Sequence, residues 1–210
     1  MYNIRMDNDK THQNEVLGNI ASRRSTRIFE DRGVNSIDIE MILEAANLAP
    51  SAHNQQSWRF VVIEGEKKSE LAGLINARSG GFPRPSSVLL RMAARSIASA
   101  PVVIAVVNTG RLIQHGTELF KIEKDPAHDF FRVMEIQSSA AAVQNLLLAA
   151  TSLGLATVWL GILMLIKDEI EEFLVEPHGE FMAVIPVGYA SREMQAPHKK
   201  PLEKVVKRLS

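Results

Sequence analysis

From Ile136 to Ile166 the sequence contains no charged residue, and this stretch constrains the fold more than any other feature. A run of about 18 or more apolar residues could form a membrane-spanning helix. Polar side chains interrupt this run, however, and Gly154 ends its helical part. The residues that follow, LATVWLG, are typical of a strand. We therefore predict a buried long helix over 129–153, a buried strand at 155–159, and no association with a membrane.

Hydrophobic periodicity elsewhere predicts helices that alternate with about four strands. The strand at 101–108 is continuously apolar, as is typical of a central strand covered on both faces. This pattern predicts an α+β fold with α/β-like layers, in which helices flank one sheet in a single domain over residues 1–210. The predicted strands are 58–64, 101–108, 155–159 and 181–189. The predicted helices are 12–22, 37–48, 66–77, 129–153, 167–174 and 201–208.

Two segments, 78–100 and 109–128, fit neither pattern, and they lie on either side of the strand at 101–108. Loops of this length in a compact domain are usually lids, arms or contacts with a partner. We therefore expect both segments to be irregular, variable lid or arm regions.

The composition excludes several classes of function. Basic and acidic residues number 24 each, so the chain has no net positive field that would attract nucleic acid. The absence of cysteine excludes disulfides, thiolate metal sites and a cysteine nucleophile. His53 has no second ligand at a familiar spacing, which argues against a metal site. The polar N-terminus has no apolar signal segment, so we expect a cytoplasmic protein.

Three arginines, Arg23, Arg24 and Arg27, occur within five positions, with no acidic residue before Glu30. Guanidinium groups this close repel one another unless water or an anion lies among them. Together with the Ser25 hydroxyl and backbone N–H groups, these arginines could form a phosphate site. The run could equally be a solvated basic patch at the end of a helix, where cations are favourable.

The turn APSAHNQQSW follows the second predicted helix and precedes a strand. Its polar groups could donate to and accept from a flat heterocycle, although the same sequence also suits a plain helix-to-strand loop. The candidate binding residues in this turn are Pro50, Ser51, His53, Asn54 and Gln56.

Two weaker candidates lie nearer the C-terminus. Trp159, Leu160 and Gly161 follow the buried helix and strand, and Gly161 would let the backbone approach a planar ligand closely. An ordinary turn after a buried strand has the same pattern. Lys199 and Lys200 precede the last predicted helix, where a charge run is usually a solvent-exposed terminus.

The order and spacing of these motifs resemble those of the FMN-dependent nitroreductase family. The shared pattern begins with an Arg-Ser-x-Arg run, and Pro-Ser-x-x-Asn-x-Gln-x-Trp follows about 23 residues later. It continues with QNLLLAA in the long helix, LGLAT-W-G, PVGYA, and a basic residue before PLE. The resemblance extends from about residue 20 to 206 and is most specific over 23–29 and 50–60.

The resemblance implies that the arginine run binds FMN. Arg23 and Ser25 would hold the phosphate and ribityl end, with Arg24 close by. Arg27 would lie near the N1–C2=O edge of the isoalloxazine ring. A fixed cation at that edge stabilises the anionic reduced flavin and so favours hydride uptake.

The other motifs match family segments around the same flavin. Trp159, Leu160 and Gly161 would lie along the ring, where a backbone N–H typically donates to N5. Either Lys199 or Lys200, at the family's basic position, would close on the phosphate.

The resemblance further implies a homodimer with FMN at the interface between the subunits. The turn with Pro50, Ser51, His53 and Asn54 would reach across a two-fold axis onto the flavin of the partner subunit. His53 replaces a smaller residue of the family pattern, so it could contact flavin or substrate or point away. We also expect a spare face of the long helix, with Ala140–Ala142 and Leu146–Ala150, to pack against a second copy.

The implied activity is ping-pong transfer of hydride from NADH or NADPH, through flavin N5, to a nitroaromatic, quinone or similar small acceptor. No catalytic side chain is required, because the cofactor carries the chemistry. A reductive dehalogenase-like or flavin-consuming enzyme of the same superfamily is an alternative. A flavin-binding module without catalysis is a second alternative, because some family members have an acid at the position of Gly161.

Overall fold

The computed structural model describes residues 14–120, 124–176 and 179–209. Its helices are α1 (Glu15–Ser22), α2 (Ser36–Asn47), α3 (Gly65–Arg78), α4 (Ser86–Ser99), α5 (Arg111–Phe120), α6 (Lys124–Ser152) and α7 (Lys167–Leu174). Its strands are β1 (Trp58–Ile63), β2 (Val102–Asn108), β3 (Ala156–Thr157) and β4 (Glu180–Gly188). The polar N-terminal segment lies outside the described residues, so the expected cytoplasmic location stays a prediction.

The four strands form one antiparallel sheet in the order β1-β2-β4-β3. Strand β2 lies inside this sheet and is buried along its whole length, as its continuous apolar sequence predicts. Trp58 lies opposite Asn108 and Ile63 opposite Val103, so β1 pairs with β2 along its whole length. The predicted α+β fold, with one sheet between helices, is therefore confirmed.

Helices cover both faces of the sheet, and the side chains of β2 alternate between the two layers. Val103 and Ala105 pack into one core with apolar side chains of α3, α4 and α7. Ile104 and Val106 pack into a second core with apolar side chains of α2 and α6. A strand that contributes to two cores must be apolar at every position, which explains the absence of alternation in its sequence.

Helix α6 combines the first part of the uncharged stretch, from Ile136 to Ser152, with a more polar N-terminal half. Ala142, Leu146 and Ala150 are fully buried in the core that α6 shares with α2 and the sheet. The expected spare face is therefore wrong for these three residues, because the chain's own core uses them, whereas Ala140, Ala141 and Leu148 are half-buried and their contact with a second copy stays a prediction. Among the described side chains of α6, the large apolar ones that are exposed are Phe130 and Val133. In the part of the chain that is described, no helix is long and apolar enough to cross a membrane.

The expectation of an irregular segment over 78–100 is wrong, because α4 occupies most of it. Ser87, Leu90, Ala94 and Ile97 lie three or four residues apart and are buried on one face of α4. Small and polar residues make up much of this face, which weakens the hydrophobic signal in the sequence.

Helix α5 likewise replaces the first part of the irregular segment expected over 109–128. A side chain remote in sequence stabilises its start, since the Leu112 N–H donates to Oε1 of Glu135 at 2.7 Å. A carboxylate at a helix N-terminus is favourable because the first N–H groups have no partner within the helix. Residues 121–123 of the same segment lie outside the described part.

The last predicted helix, 201–208, is also wrong. The structure has one turn of 3-10 helix there, Leu202–Lys204, and every described residue from 195 onward is exposed. Leu202, Val205 and Leu209 are among them, and Leu209 is 85% exposed. An amphipathic helix is stable when its apolar face packs on something, and within the chain this segment has no such surface.

Candidate functional site

The arginine run continues from α1 as an extended segment along the edge of the sheet. Arg23 caps the C-terminus of α1, and Ser25 then forms a parallel bridge with Thr157 of β3. The Thr26 N–H donates to the Thr157 carbonyl oxygen at 2.9 Å. Phe29 is buried in the core and pairs with Ala190. These contacts fix the backbone between two anchors.

A cavity of about 290 Å³ opens beside this segment. It is lined by Arg23, Arg24, Ser25, Arg27, Met194, Gln195 and Pro197, so no acidic side chain offsets its charge. Among the described residues, none of its three arginines forms a salt bridge with a carboxylate. Because its lining is cationic and contains no acidic residue, this pocket (the arginine cavity) suits an anion.

Arg24 differs from its neighbours in the arginine cavity. Its Nη1 donates to the carbonyl oxygens of Ala21 at 2.6 Å and Arg23 at 2.9 Å, and both belong to the end of α1. Cations at a helix C-terminus are stabilising. The alternative interpretation of the arginine run, a basic patch at the end of a helix, is therefore correct in part for Arg24. Its Nε is buried without a hydrogen-bond partner in the described structure. Arg24 therefore caps the end of α1 through Nη1, while its Nε has no hydrogen-bond partner in the described structure.

A second cavity of about 170 Å³, the ring groove, contains the predicted Trp159, Leu160 and Gly161. Arg27 lines both this groove and the arginine cavity, so it lies between the two predicted motifs. The remaining lining residues are Leu89, Met92 and Ala93 of α4, together with Val158 and Ile162, which flank residues 159–161 in the sequence.

The backbone at the ring groove is well placed to meet a flat ligand. The Leu160 N–H donates to Val184 O at 3.0 Å, which fixes this segment to β4. Gly161 then begins a 3-10 helix, whose first N–H groups lack partners inside the helix. A Cβ added at Gly161 would meet no atom within 4 Å, and the Trp159 side chain is 37% exposed. The groove thus offers open backbone beside a large aromatic ring.

A third cavity of about 290 Å³ adjoins the other two and was not predicted from the sequence. Three arginines, Arg27, Arg95 and Arg192, line it together with Met92 and Met194, and we call it the tri-arginine cavity. Arg95 was missed because α4 was expected to be irregular. Arg192 was missed because it follows β4 as a single basic residue with no motif around it.

The polar turn that follows α2 has an unusual backbone. His53, Asn54 and Gln56 have φ values of 52°, 53° and 48°, in the left-handed region that disfavours side chains. Each such residue costs on the order of 1–3 kcal/mol, and such strain clusters at functional sites. Hydrogen bonds hold the turn: the Gln56 N–H donates to Ser51 Oγ at 3.0 Å, and the Gln56 side chain donates to Asn54 Oδ1 at 3.1 Å.

The turn is anchored to α6 but does not reach the arginine cavity of its own chain. The Ala52 N–H donates to Ser138 Oγ at 3.1 Å. Pro50 and Ser51 line a separate open cavity of about 250 Å³ against α6, with Met134 and Ser138. The structure therefore brings the arginine run together with Trp159–Gly161, and leaves the residues of the turn apart from them.

The two C-terminal lysines are also apart from the site. Pro197 lines the arginine cavity, whereas Lys199 and Lys200 are exposed and are not among its lining residues. Their expected contact with a phosphate stays a prediction. In the described ranges no cluster of three or more histidine, aspartate or glutamate side chains could hold a metal ion.

A buried carboxyl lies beneath the polar turn. Glu135 of α6 is 1% exposed, and burial raises the pKa of its carboxyl above the ordinary value of 4.5. Hydrogen bonds from the Leu112 N–H and the Ser57 hydroxyl lower this pKa and offset part of the effect of burial. Because Ser57 ends the turn and Leu112 begins α5, Glu135 joins three elements around one titratable group.

Comparison with known proteins gives consistent matches. A model of the Nitroreductase family matches residues 20–189. A candidate NADH dehydrogenase/NAD(P)H nitroreductase of Archaeoglobus fulgidus is 36% identical over 148 residues, which are 70% of this chain and 68% of that protein. The FMN reductase (NAD(P)H) of Bacillus subtilis is 27% identical over 190 residues, covering 88% of this chain and 70% of that protein.

Comparison of the structure with solved structures also finds nitroreductases. The crystal structure of a nitroreductase with bound FMN from Desulfitobacterium hafniense matches with a TM-score of 0.71 and 25% identity. The match covers 94% of this chain and 99% of that chain. The family resemblance predicted from the motifs is therefore confirmed, and the matched residues include the arginine run and the ring groove.

Proposed function

Because the chain belongs to the nitroreductase family, we propose that it is an FMN-dependent NAD(P)H oxidoreductase that reduces small acceptors such as nitroaromatics or quinones. The observation that carries this proposal is the position of Arg27, which lines both the arginine cavity and the ring groove. A ligand that fills both needs an anionic tail and a flat head, and FMN has both.

The arginine cavity fits the phosphate of FMN. A phosphate dianion needs several charge-assisted donors, and the cavity offers Arg23, Arg24 and the Ser25 hydroxyl with no carboxylate among its lining residues. Lys199 or Lys200 would add a further cation if the C-terminal segment closes over the cavity.

The ring groove fits the isoalloxazine head. Trp159 and Met92 provide an apolar wall, and Gly161 leaves the backbone open to a planar group. The Arg27 guanidinium, which lines both cavities, would stabilise negative charge on the ring of the reduced cofactor. When bound, FMN supplies the redox chemistry by taking hydride from NAD(P)H and passing reducing equivalents to the acceptor. The chain's own residues bind the cofactor, orient it and leave one side of the groove accessible.

We extend the proposal to a homodimer in which the polar turn of one chain completes the site of the other. The strained turn, with exposed His53, Asn54 and Gln56, does not reach the arginine cavity of its own chain. Backbone strain of this kind persists where a function requires it. Phe130 and Val133 of α6, and Leu202 and Leu209 at the C-terminus, expose apolar surface that a second chain could cover.

The first experiment measures cofactor binding and reduction. The purified protein, reconstituted with FMN if needed, should be yellow, show the absorbance of oxidised flavin and bleach anaerobically when NADH or NADPH is added. A protein that binds FMN but never bleaches would support a binding module without catalysis. A protein that cannot bind FMN would contradict both flavin-based functions. Turnover with nitroaromatics, quinones and halogenated phenols then separates a nitroreductase from a dehalogenase-like enzyme.

The role of Arg27 is tested by measuring the reduction potential of the bound flavin. Arg27→Gln removes the cation while keeping a side chain of similar length. We expect the reduction potential of the bound flavin to fall and reduction by NAD(P)H to slow, because negative charge on the reduced ring loses its partner. The matched control is Arg23→Gln, which should weaken FMN binding and change the potential little. Equal potentials for the Arg27 variant and the wild type would contradict this role.

A further inference from the structure

The polar turn after α2 needs contacts with other elements to keep its place. His53, Asn54 and Gln56 have left-handed φ values, and strained backbone of this kind persists when the surrounding structure over-determines it. Hydrogen bonds within the turn, such as the one from the Gln56 N–H to Ser51 Oγ at 3.0 Å, fix its shape. They do not fix its position on the rest of the protein.

Both ends of the turn are held by elements that are remote in the sequence. At its start, the Ala52 N–H donates to Ser138 Oγ of α6 at 3.1 Å. At its end, the Thr109 N–H, just after β2, donates to the Ser57 carbonyl oxygen at 3.0 Å. The second contact joins two backbone groups, whereas the first depends on a side chain. The identity of residue 138 therefore controls where the turn begins.

The hydroxyl of Ser138 is oriented by its own helix. It donates its proton to the Met134 carbonyl oxygen at 2.7 Å, so its lone pairs are left to accept from the Ala52 N–H. A serine that donates back to its own helix slightly destabilises that helix and often bends it. Ser138 is 7% exposed, so its hydroxyl is buried between the two elements. The contact with the turn, and not the stability of α6, explains a serine at this position.

Helix α6 is firmly packed at this contact. Ala142 and Leu146, one and two turns further along, are fully buried in the core shared with α2 and the sheet. On its other side, Ser138 lines the open cavity of about 250 Å³ together with Pro50 and Ser51. A close-packed helix yields little, so the Ser138 contact sets how far the turn stands from α6.

We propose that Ser138 is a positioning residue, which holds the polar turn where His53 and Asn54 of one chain meet the FMN bound by the other chain. The inference rests on the proposed function, in which the turn of each chain completes the site of its partner. Because the turn lies apart from the arginine cavity of its own chain, its position matters to the second subunit. In this role Ser138 acts through the Ala52 N–H and not by contact with the cofactor.

The contact itself is tested in the FMN-free protein by amide hydrogen exchange. Ser138→Ala removes the acceptor of the Ala52 N–H, whereas Ser138→Thr keeps a hydroxyl at the same position. We expect the Ala52 amide to exchange about tenfold faster in the alanine variant, as for the loss of one hydrogen bond, and at close to the wild-type rate in the threonine variant. Equal exchange in Ser138→Ala and the wild type would overturn the inference.

The matched control is Ser152→Ala, the same substitution further along α6. The Ser152 hydroxyl is exposed and donates to the Ala149 carbonyl oxygen of its own helix at 2.8 Å. Its loss should leave both the exchange of the Ala52 amide and the affinity for FMN unchanged. An effect as large as that of Ser138→Ala would mean that any serine of α6 has this influence, which would overturn the specific role of Ser138.

The effect on the second subunit is tested by pairing two variants that each bind FMN weakly. We expect Ser138→Ala to weaken FMN binding about tenfold, because the turn of one chain no longer meets the site of the other. Arg23→Gln impairs the arginine cavity of its own chain. In a heterodimer isolated with two different tags, the chain with Ser138→Ala keeps its arginine cavity and receives the unaltered turn of its partner. Fluorescence titration with FMN should therefore find wild-type affinity at one of the two sites.

The outcomes separate this inference from the proposed function. A general loss of stability would impair the chain that contains Ser138→Ala, so a heterodimer without a wild-type site would overturn the inference. Wild-type FMN affinity in the Ser138→Ala homodimer would overturn it as well. In both cases the wild type still binds FMN, and the proposed function stands. A wild-type protein that does not bind FMN contradicts the proposed function, and the positioning role fails with it.

Discussion

Thr26 donates its backbone N–H to the carbonyl oxygen of Thr157 at 2.9 Å, although the two residues are far apart in the sequence. This bond and the Ser25–Thr157 bridge align the arginine run with the segment that contains Trp159 and Gly161. Side chains on either side of Thr26 therefore face the arginine cavity, and Arg27 also faces the ring groove. One edge of the sheet thus joins a cation cluster to an open groove.

The two adjacent arginines at the end of α1 should have separable roles. Arg23→Ala removes a free cation from the arginine cavity, and it should weaken FMN binding by about 1.5–3 kcal/mol, the range for hydrogen bonds to charged groups. Arg24→Ala removes the donor to Ala21 O and Arg23 O, so it should lower the free energy of unfolding by about 0.5–1.5 kcal/mol.

Fluorescence titration with FMN and thermal unfolding of the FMN-free protein measure the two effects. Arg24→Ala should weaken FMN binding less than Arg23→Ala, and Arg23→Ala should alter the unfolding temperature less than Arg24→Ala. The opposite order in both measurements would mean that Arg24, and not Arg23, is the main phosphate ligand.

The central parts of this fold were predictable because local sequence and tertiary role agree there. Strand β2 is apolar from Val102 to Val107 because both of its faces are covered. Helix α2 begins where the Asn35 side chain accepts from the Ile37 N–H at 3.0 Å, and an Asn-Ser pair is a typical start signal. In both places the local sequence marks the element: a continuous apolar run for β2, and a capping residue for α2.

Elements that depend on distant residues were not predictable in the same way. The start of α5 is stabilised by Glu135, and this contact is invisible in a local pattern. Helix α4 buries serine and alanine, whose contribution to a hydrophobic period is small. Arg95 and Arg192 meet only in the folded chain, so the tri-arginine cavity has no motif in the sequence.

The strained turn gives a prediction about stability that reverses the usual ranking of alanine and glycine. His53 has a φ of 52°, where a side chain costs roughly 1–2 kcal/mol relative to glycine. His53→Gly and His53→Ala both lose the imidazole, so their comparison isolates the backbone. We expect the glycine variant to be more stable than the alanine variant by about 1 kcal/mol in chemical unfolding. At Gln114, within α5, the same pair should show alanine as the more stable by about 1 kcal/mol.

The contact between α5 and α6 depends on the absence of a side chain at Gly116. A Cβ there would overlap the ring of Phe131, so the ring or the helix would have to move. Gly116→Ala should therefore lower the free energy of unfolding by about 1–3 kcal/mol. Gly73→Ala in α3 is the control, because a Cβ at that position would meet no atom within 4 Å. It should stabilise the protein by about 0.5–1 kcal/mol, so equal effects of the two substitutions would contradict close packing at Gly116.

The buried carboxyl of Glu135 should make stability depend on pH in a defined direction. Burial raises the pKa of this carboxyl above 4.5, so the charged form is less favourable in the folded protein than in the unfolded chain. The stability contributed by Glu135 is therefore complete below its ordinary pKa, and it is lost as the pH rises through the raised pKa of the folded state. Each unit by which that pKa is raised corresponds to about 1.4 kcal/mol.

Glu135→Gln and Glu135→Ala separate this titration from the hydrogen bond to α5. The glutamine variant keeps an acceptor for the Leu112 N–H and cannot titrate, so wild-type stability should fall relative to it as the pH rises from about 4.5. The alanine variant leaves that N–H without its acceptor. It should be less stable than the glutamine variant by about 1–3 kcal/mol at any pH where both variants fold. Chemical unfolding of the three proteins is measured from about pH 4 upward, so that the series begins near the ordinary pKa of a glutamate carboxyl. A wild type that gains stability relative to the glutamine variant with rising pH would mean that hydrogen bonds to the carboxylate outweigh burial.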